Sequence, residues 1–84
     1  MYSFIIYTQS DKILYKEIDS PQFHEDLKES IEKSYYLQKS HTHALVFKDN
    51  EMIGVLVPSK SPVLKYGSNG EMEIIGYYVT CILY

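Results

Sequence analysis

Apolar residues dominate the stretch from Thr42 to Val57, which is interrupted in its middle by the polar pair Asp49-Asn50. Asp and Asn tolerate the left-handed backbone that a two-residue hairpin turn requires. The pattern therefore predicts two antiparallel strands with Lys48 opposite Glu51, an opposite-charge cross-strand pair. The same register places Phe47, Val46, Leu45 and Ala44 opposite Met52, Ile53, Gly54 and Val55, respectively. We expect the other elements to pack around this hairpin.

Two further strands are predicted in the first 18 residues. Tyr2 to Gln9 is apolar on both alternating faces, which is typical of a central strand. Ser10-Asp11 suits a turn. Lys12 to Ile18 then returns with more charge, which favours a position near the sheet edge.

One helix is predicted over about Pro21 to Lys39. Pro21 suits the first helical position with Ser20 as N-cap, and Asp19 is the alternative N-cap. Lys39 and His41 suit the negative end of the helix dipole. Apolar residues recur at every fourth position and form one stripe for packing on a sheet: Phe23, Leu27, Ile31 and Tyr35.

The last third of the chain combines a break with a long β-rich run. Pro58 to Pro62 contains two prolines and two serines, which predicts an interruption of regular structure. Val63 to Tyr66 suits a short strand, and the pattern leaves open whether it pairs. Gly67 to Gly70 predicts a turn. The run from Glu71 to Tyr84 exceeds the usual strand length, so a bulge or bend is expected at the glycine in its middle, Gly76.

Together these elements predict one α+β domain over residues 1–84, a single helix packed on an antiparallel sheet of four to six strands in the order ββαββ(β)β. One helix covers one face of such a sheet, yet several strands are apolar on both faces. In the hairpin, the two faces are predicted to carry Leu45, Phe47, Met52 and Leu56 on one side and Val46, Ile53, Val55 and Val57 on the other. The second face therefore requires a cover, which is curvature into a partial barrel, a twin sheet in a homodimer, or another protein.

Composition narrows the class of function. The chain contains eight lysines, no arginine and eleven acidic residues, for a net charge of −3. Arginine is the preferred residue for bidentate contacts to phosphate and guanine, so a nucleic-acid-binding protein is not expected. No secretory signal is recognised, and no apolar stretch approaches the ~20 residues of a membrane helix, so no membrane partner is expected. The single cysteine, Cys81, has apolar neighbours that predict a buried thiol, and a reducing, cytoplasmic setting is favoured.

Few residues form a pattern that carries chemistry. His41 and His43 are the best metal candidates, because residues two apart share a face of an extended segment. Two histidines are too few for a closed zinc site, and His24 or Asp49 would have to supply a third ligand, so no metal or cofactor is expected. Cys81 lacks a neighbouring base in sequence, and no serine lies in a nucleophile-elbow pattern. We therefore do not expect an enzyme.

The abundance of tyrosine and the acidic face of the predicted helix favour binding to another protein. The sequence thus predicts a small non-enzymatic protein-binding protein of inhibitor, immunity or regulatory type, in the style of phage or mobile-element proteins, which forms a homodimer. The candidate partner-binding residues are Tyr35, Tyr36, Tyr66, Tyr77, Tyr78, Glu25, Glu29 and Glu32. The alternatives are a small-molecule or metal-binding sensor that uses His41 and His43, and a small enzyme of unknown type.

Overall fold

The computed structural model describes residues 1–18 and 26–84, and these form one helix packed against a curled, six-stranded antiparallel sheet. The elements are β1 (Tyr2–Thr8), β2 (Ile13–Ile18), α1 (Leu27–Ser34), β3 (Tyr36–Gln38), β4 (His41–Lys48), β5 (Glu51–Tyr66) and β6 (Met72–Leu83). The strands lie in the order β2-β1-β4-β5-β6-β3. The α+β class with an antiparallel sheet is confirmed, as are the central position of β1 and the edge position of β2. In this part of the chain, no helix has the length and apolar character needed to cross a membrane.

The helix is shorter than predicted. Asp26 is the N-cap, and its carboxylate accepts a hydrogen bond from Glu29 N at 3.0 Å. The expected N-caps, Ser20 and Asp19, lie outside the described residues, as does the first member of the apolar stripe, Phe23. The remaining stripe is confirmed, because Ile31 is buried and both Leu27 and Tyr35 pack against the core.

The predicted C-terminal part of the helix is wrong. Tyr35 has extended dihedral angles (φ −125°, ψ 152°), and residues 36–38 form β3 against β6. Tyr36 and Leu37 favour strands, and pairing with β6 buries Leu37. Lys39 and His41 therefore lie beyond the helix and do not interact with its dipole.

The strand order after the helix also differs in detail from the predicted ββαββ(β)β. The chain supplies an extra strand, β3, from the stretch predicted as helix. The two predicted segments on either side of Pro58 to Pro62 belong to a single strand, β5, which pairs with β6 on both sides of that stretch. Residues 59–61 lie opposite the single residue Tyr78, so the prolines interrupt the pairing without ending the strand.

The hairpin at Asp49-Asn50 is confirmed, but its predicted register holds only next to the turn. Both turn residues have positive φ (49° and 70°), Lys48 lies opposite Glu51, and Phe47 lies opposite Met52. A bulge at Ile53 then shifts the register, so that Val46 lies opposite Gly54, Leu45 opposite Val55 and Ala44 opposite Leu56. The bulge moves Leu56 to the face of Val46 and moves Val55 and Val57 to the face of Leu45, which corrects the predicted faces.

The bulge at Ile53 follows from packing against the next strand. A Cβ at Gly54 would lie 2.5 Å from the carbonyl oxygen of Ile82, so only glycine fits this position. The shift also places Leu56 in the interior, where it is 1% exposed.

The core lies inside the curl of the sheet, between the strands and α1. The curl brings β3 close to β4 and β5 as well as to its neighbour β6. Tyr35 links the two ends of the curl, because its ring packs edge-on against Phe4 at a centroid distance of 5.2 Å. The buried apolar residues are Phe4, Ile18, Ile31, Leu37, Ala44, Val46, Leu56, Val79 and Cys81. The predicted burial of the Cys81 thiol is thus confirmed.

Candidate functional site

The surface of the sheet that faces away from α1, here called the outer face, carries an unbroken row of apolar side chains. In each antiparallel pair, directly opposed residues share a face, and the pairings align one residue from each of five neighbouring strands. The members of this apolar row are Tyr15, Ile5, Leu45, Val55 and Ile82. The row therefore crosses nearly the full width of the sheet.

Exposure increases along the apolar row from its centre to its ends. Ile5, Leu45 and Val55 are half-buried by their neighbours in the sheet, whereas Tyr15 is 63% exposed and Ile82 is 47% exposed. Among residues 1–18 and 26–84, the helix α1 packs on the opposite side of the sheet, where Ile31 joins the core. In the described chain the row is left open to solvent.

The surroundings of the apolar row are mostly apolar and carry little charge. Strand alternation places further aromatic and aliphatic side chains on the outer face: Tyr7, Ile13, Phe47, Met52, Val57 and Tyr78. The polar residues Ser3, His43 and Thr80 lie on the same face. Glu17 lies on this face at its rim, on the edge strand β2, and the opposed pair Lys65 and Glu73 lies on the same face in the distal part of the β5–β6 hairpin. A surface of this composition favours an apolar partner.

The two histidines lie on opposite faces of the sheet, which contradicts the expectation that they share a face. His43 pairs with Tyr7, but His41 pairs with Thr8, because Thr42 forms a bulge between them. Tyr7 and Thr8 are adjacent in β1 and point in opposite directions. The bulge therefore separates the two imidazoles, and one metal ion cannot bridge them in this arrangement.

Each histidine has its own structural contact. The His43 ring stacks on the Tyr7 ring with a centroid distance of 4.6 Å and an interplanar angle of 9°. His41 lies on the inner face, where its Nδ1 accepts a hydrogen bond from Gln38 N at 3.1 Å. Burial lowers the pKa of His41 from its ordinary value of 6.5, so the neutral form is favoured.

The other proposed metal ligands do not complete a site. Asp49 accepts a hydrogen bond from the Met1 ammonium at 2.7 Å, and this contact lowers the pKa of the Asp49 carboxyl. His24 lies outside the described residues. The described part of the chain contains no group of three or more His, Cys, Asp or Glu side chains placed to hold a metal ion.

A groove of about 520 Å³ opens beside His41 at the mouth of the curled sheet. Its walls combine apolar residues with Lys16, whose ammonium lies 5.1 Å from the centre of the Tyr35 ring. Lys16 is the charged side chain that lines it. Burial raises the pKa of Tyr35, so this phenol stays protonated at neutral pH.

The structure distributes the five candidate tyrosines over three regions. Tyr36 and Tyr78 lie opposite each other on β3 and β6 and extend the outer face, with 42% and 40% exposure. Tyr35 packs on Phe4 inside the curl, and Tyr77 is half-buried opposite Leu37. Tyr66 lies on the distal end of the β5–β6 hairpin. Tyr36 and Tyr78 are thus the two that the structure places together on the outer face.

The distal end of the β5–β6 hairpin carries a second, smaller apolar patch, here called the ribbon patch. Cross-strand pairing places Leu64 opposite Ile74 and Tyr66 opposite Met72, and all four side chains are exposed. The predicted Gly67–Gly70 turn closes this ribbon, and Gly70 has a φ of 77°. The predicted short strand from Val63 to Tyr66 is therefore paired, as the distal part of β5.

The carboxylates of the helix are used within the molecule. Glu32 reaches across to β6, where its Oε2 accepts a hydrogen bond from Cys81 N at 2.9 Å. Glu29 forms an i,i+4 ion pair with Lys33, as its spacing indicates. Glu25 lies outside the described residues. Burial, followed by the negative charge of Glu32, raises the pKa of the Cys81 thiol, which disfavours a reactive thiolate.

The members of the apolar row were not identified as site residues from the sequence, although the doubly apolar strands signalled an uncovered face. Identifying them requires the register, which depends on the bulge at Ile53.

Comparisons with protein-family models, with curated proteins and with solved structures find no match. The function must therefore be argued from the residues themselves.

Proposed function

We propose that this chain is a non-enzymatic protein-binding protein, of inhibitor, immunity or regulatory type, whose binding surface is the outer face of the sheet. The observation that carries the proposal is the apolar row from Tyr15 to Ile82, aligned across five strands and open to solvent in the described structure. Contiguous apolar patches on a sheet mark interaction sites, because their burial releases ordered water.

The composition of the outer face fits a protein partner. Tyr15, Tyr36 and Tyr78 provide large rigid rings with a polar end, the kind of side chain that is enriched in the centre of interfaces. Burying apolar surface contributes roughly 25 cal/mol per Å², so even the exposed ends of the row supply useful binding free energy.

The polar groups of the inner face support a structural rather than a catalytic role. Glu32 and His41 each accept a hydrogen bond from a backbone N–H, at Cys81 and Gln38, respectively. Because these two titratable side chains are hydrogen-bonded to different strands, they do not converge on one reacting atom. This arrangement favours binding over chemistry.

The proposal is tested by charging the exposed ends of the apolar row. The double variant Tyr15→Glu/Ile82→Glu places two carboxylates on the outer face at positions whose exposure limits the cost in stability. The matched control, Leu64→Glu/Tyr66→Glu, makes the same change on the ribbon patch. Hydrophobic-dye fluorescence measures the exposed apolar surface of the purified protein. Cross-linking of the protein, alone and with a candidate partner, measures binding to other chains.

We expect the outer-face variant to bind less dye than the wild type and to lose every specific protein cross-link, while the ribbon variant keeps the cross-links. The proposal is overturned if the outer-face variant retains all cross-links of the wild type. It is also overturned if the wild type binds neither the dye nor any protein, itself included.

A further inference from the structure

We infer that the partner on the outer face is a second copy of this chain, stacked sheet against sheet. This inference rests on the proposed function, since it names the occupant of the same surface. Three features of the described structure carry it: the protection of the sheet edges, the area of the outer face, and the near absence of charge on it.

The sheet edges are poorly suited to strand addition. At one edge, β2 carries the exposed charges of Lys16 and Glu17, which disfavour pairing with another chain. At the other edge, β3 covers only Gly76 to Tyr78 of β6. Beyond β3, α1 packs along β6, and the carboxylate of Glu32 accepts the hydrogen bond of the Cys81 N–H. Across the strands that carry the apolar row, association through the face is therefore favoured over association through these edges, whereas residues 72–75 of β6 pair only with β5 among the described strands.

The outer face is large enough for a modest isologous interface. Five strands spaced about 4.8 Å apart, and three rows of side chains about 6.7 Å apart, define a patch of roughly 500 Å². Two such patches bury about 1,000 Å² in total, which is near the lower limit for a specific interface. Sheets that pack in this way lie about 10 Å apart with strands at about −30°. This area indicates a dimer that dissociates on dilution.

The chemistry of the outer face is self-complementary. Its centre, formed by Ile5, Leu45 and Val55, contains no group that needs a polar partner, and Glu17 stays at the rim. A partner with charges at this position would leave them desolvated and unpaired, whereas a second copy presents the same uncharged centre. A two-fold axis through the middle of the row lets each copy cover the other.

The first experiment is light-scattering mass after size exclusion over a wide concentration range. We expect the wild type to rise from the 9.8 kDa of one chain towards twice that mass with increasing concentration. The variant Tyr15→Glu/Ile82→Glu should remain a monomer at every concentration, and the control Leu64→Glu/Tyr66→Glu should behave as the wild type. Circular dichroism of each variant verifies that it is folded.

Intermolecular NOEs in a mixed sample of isotope-labelled and unlabelled wild type provide a second test that needs no variant. We expect NOEs between the methyl groups of Leu45, Val55 and Ile82 and side chains of the other copy. If the wild type is monomeric but still binds hydrophobic dye, the inference that the partner is a second copy is overturned, whereas the proposed function remains intact. A dimer whose NOEs lie elsewhere and whose mass is unchanged by the outer-face variant overturns the assignment of this surface altogether.

Discussion

Glu32 shows how packing decides what a charged residue does. In the sequence it is one of several carboxylates on an acidic helix, yet in the structure it accepts the hydrogen bond of Cys81 N on the strand beneath. This contact fastens α1 to the part of β6 that β3 does not reach. A carboxylate that caps an otherwise unpaired strand N–H stabilises the fold. The predicted role of Glu32 in partner binding stays a prediction.

Replacing Glu32 should therefore destabilise the protein. We expect Glu32→Ala to cost about 1–3 kcal/mol, because it leaves the Cys81 N–H without its acceptor, and Glu32→Gln to cost less because its amide oxygen still accepts. Urea unfolding followed by circular dichroism measures both changes. The control is Glu29→Gln. Because the ion pair between Glu29 and Lys33 is exposed, its loss should leave the unfolding midpoint unchanged within experimental error. Equal effects at positions 29 and 32 would contradict the assigned role.

His41 gives stability a dependence on pH below neutrality. Its pKa is lowered in the folded protein, so the unfolded chain takes up a proton more readily than the folded one. The contribution of neutral His41 is thus present above its ordinary pKa of 6.5 and is lost as the pH falls below that value.

We expect His41→Asn to reduce the loss of stability between about pH 7 and pH 5, because its side-chain oxygen can replace Nδ1 as the acceptor without titrating. Unfolding free energies from urea titrations at several pH values measure this slope. The control is Ser40→Ala, at an exposed position next to His41, which removes no titrating group and should leave the slope unchanged. A slope that is as steep in the His41 variant as in the wild type would contradict the role assigned to His41.

At the level of elements, close backbone approach decides where β3 lies. A Cβ at Gly76 would overlap the carbonyl oxygen of Leu37, so the pairing of β3 with β6 requires glycine at this position. A bulge at Ile75 accompanies it in the pairing between β5 and β6. The irregularity predicted at Gly76 is found one residue earlier, at Ile75, and Gly76 itself is needed for the close approach of β3.

Gly76→Ala should weaken the attachment of β3 and cost about 1–3 kcal/mol, as other overpacked sites do. Hydrogen exchange of the Tyr36 to Gln38 amides and urea unfolding measure the local and global effects. Gly67→Ala is the matched control, since its Cβ would lie 3.8 Å from the carbonyl oxygen of Glu71, an ordinary contact. A loss of stability in the control as large as that at Gly76 would exclude steric overlap as the cause.

At the level of the whole molecule, the sheet buries one face by curling around its own core, and the described residues leave the other face open. Curvature was one of the three covers expected for the second apolar face. The observed curl closes the inner face together with α1, and the apolar row remains on the outside. Curvature therefore leaves the outer face uncovered in the described part of the chain.

If a second copy covers the outer face, thermal stability should depend on protein concentration. Association with the folded form alone raises the melting temperature by mass action, so we expect it to increase by a few degrees over a hundredfold rise in concentration. Differential scanning fluorimetry at several concentrations tests this. Tyr15→Glu/Ile82→Glu should show no such dependence, and a concentration-independent wild type would contradict self-association under these conditions.

The sequence alone determined the local features of this protein. Asp49-Asn50 specified the hairpin turn, the apolar stripe through Ile31 identified the buried side of the helix, and the charge of β2 placed it at an edge. These features depend on side chains that act on their own backbone or on neighbouring turns, so their patterns are visible in one dimension.

Only the tertiary structure decided the ladder register, the boundary between helix and β3, and the apolar row. The bulges at Ile53 and Thr42 each move the following side chains to the opposite face, which brought Val55 into line with Leu45 and separated His41 from His43. Residues 36–38 became a strand because β6 offered both hydrogen-bond partners and a burial site for Leu37. These features arise from contacts between segments that are distant in the chain, so the alternation of residues along a single strand does not predict them.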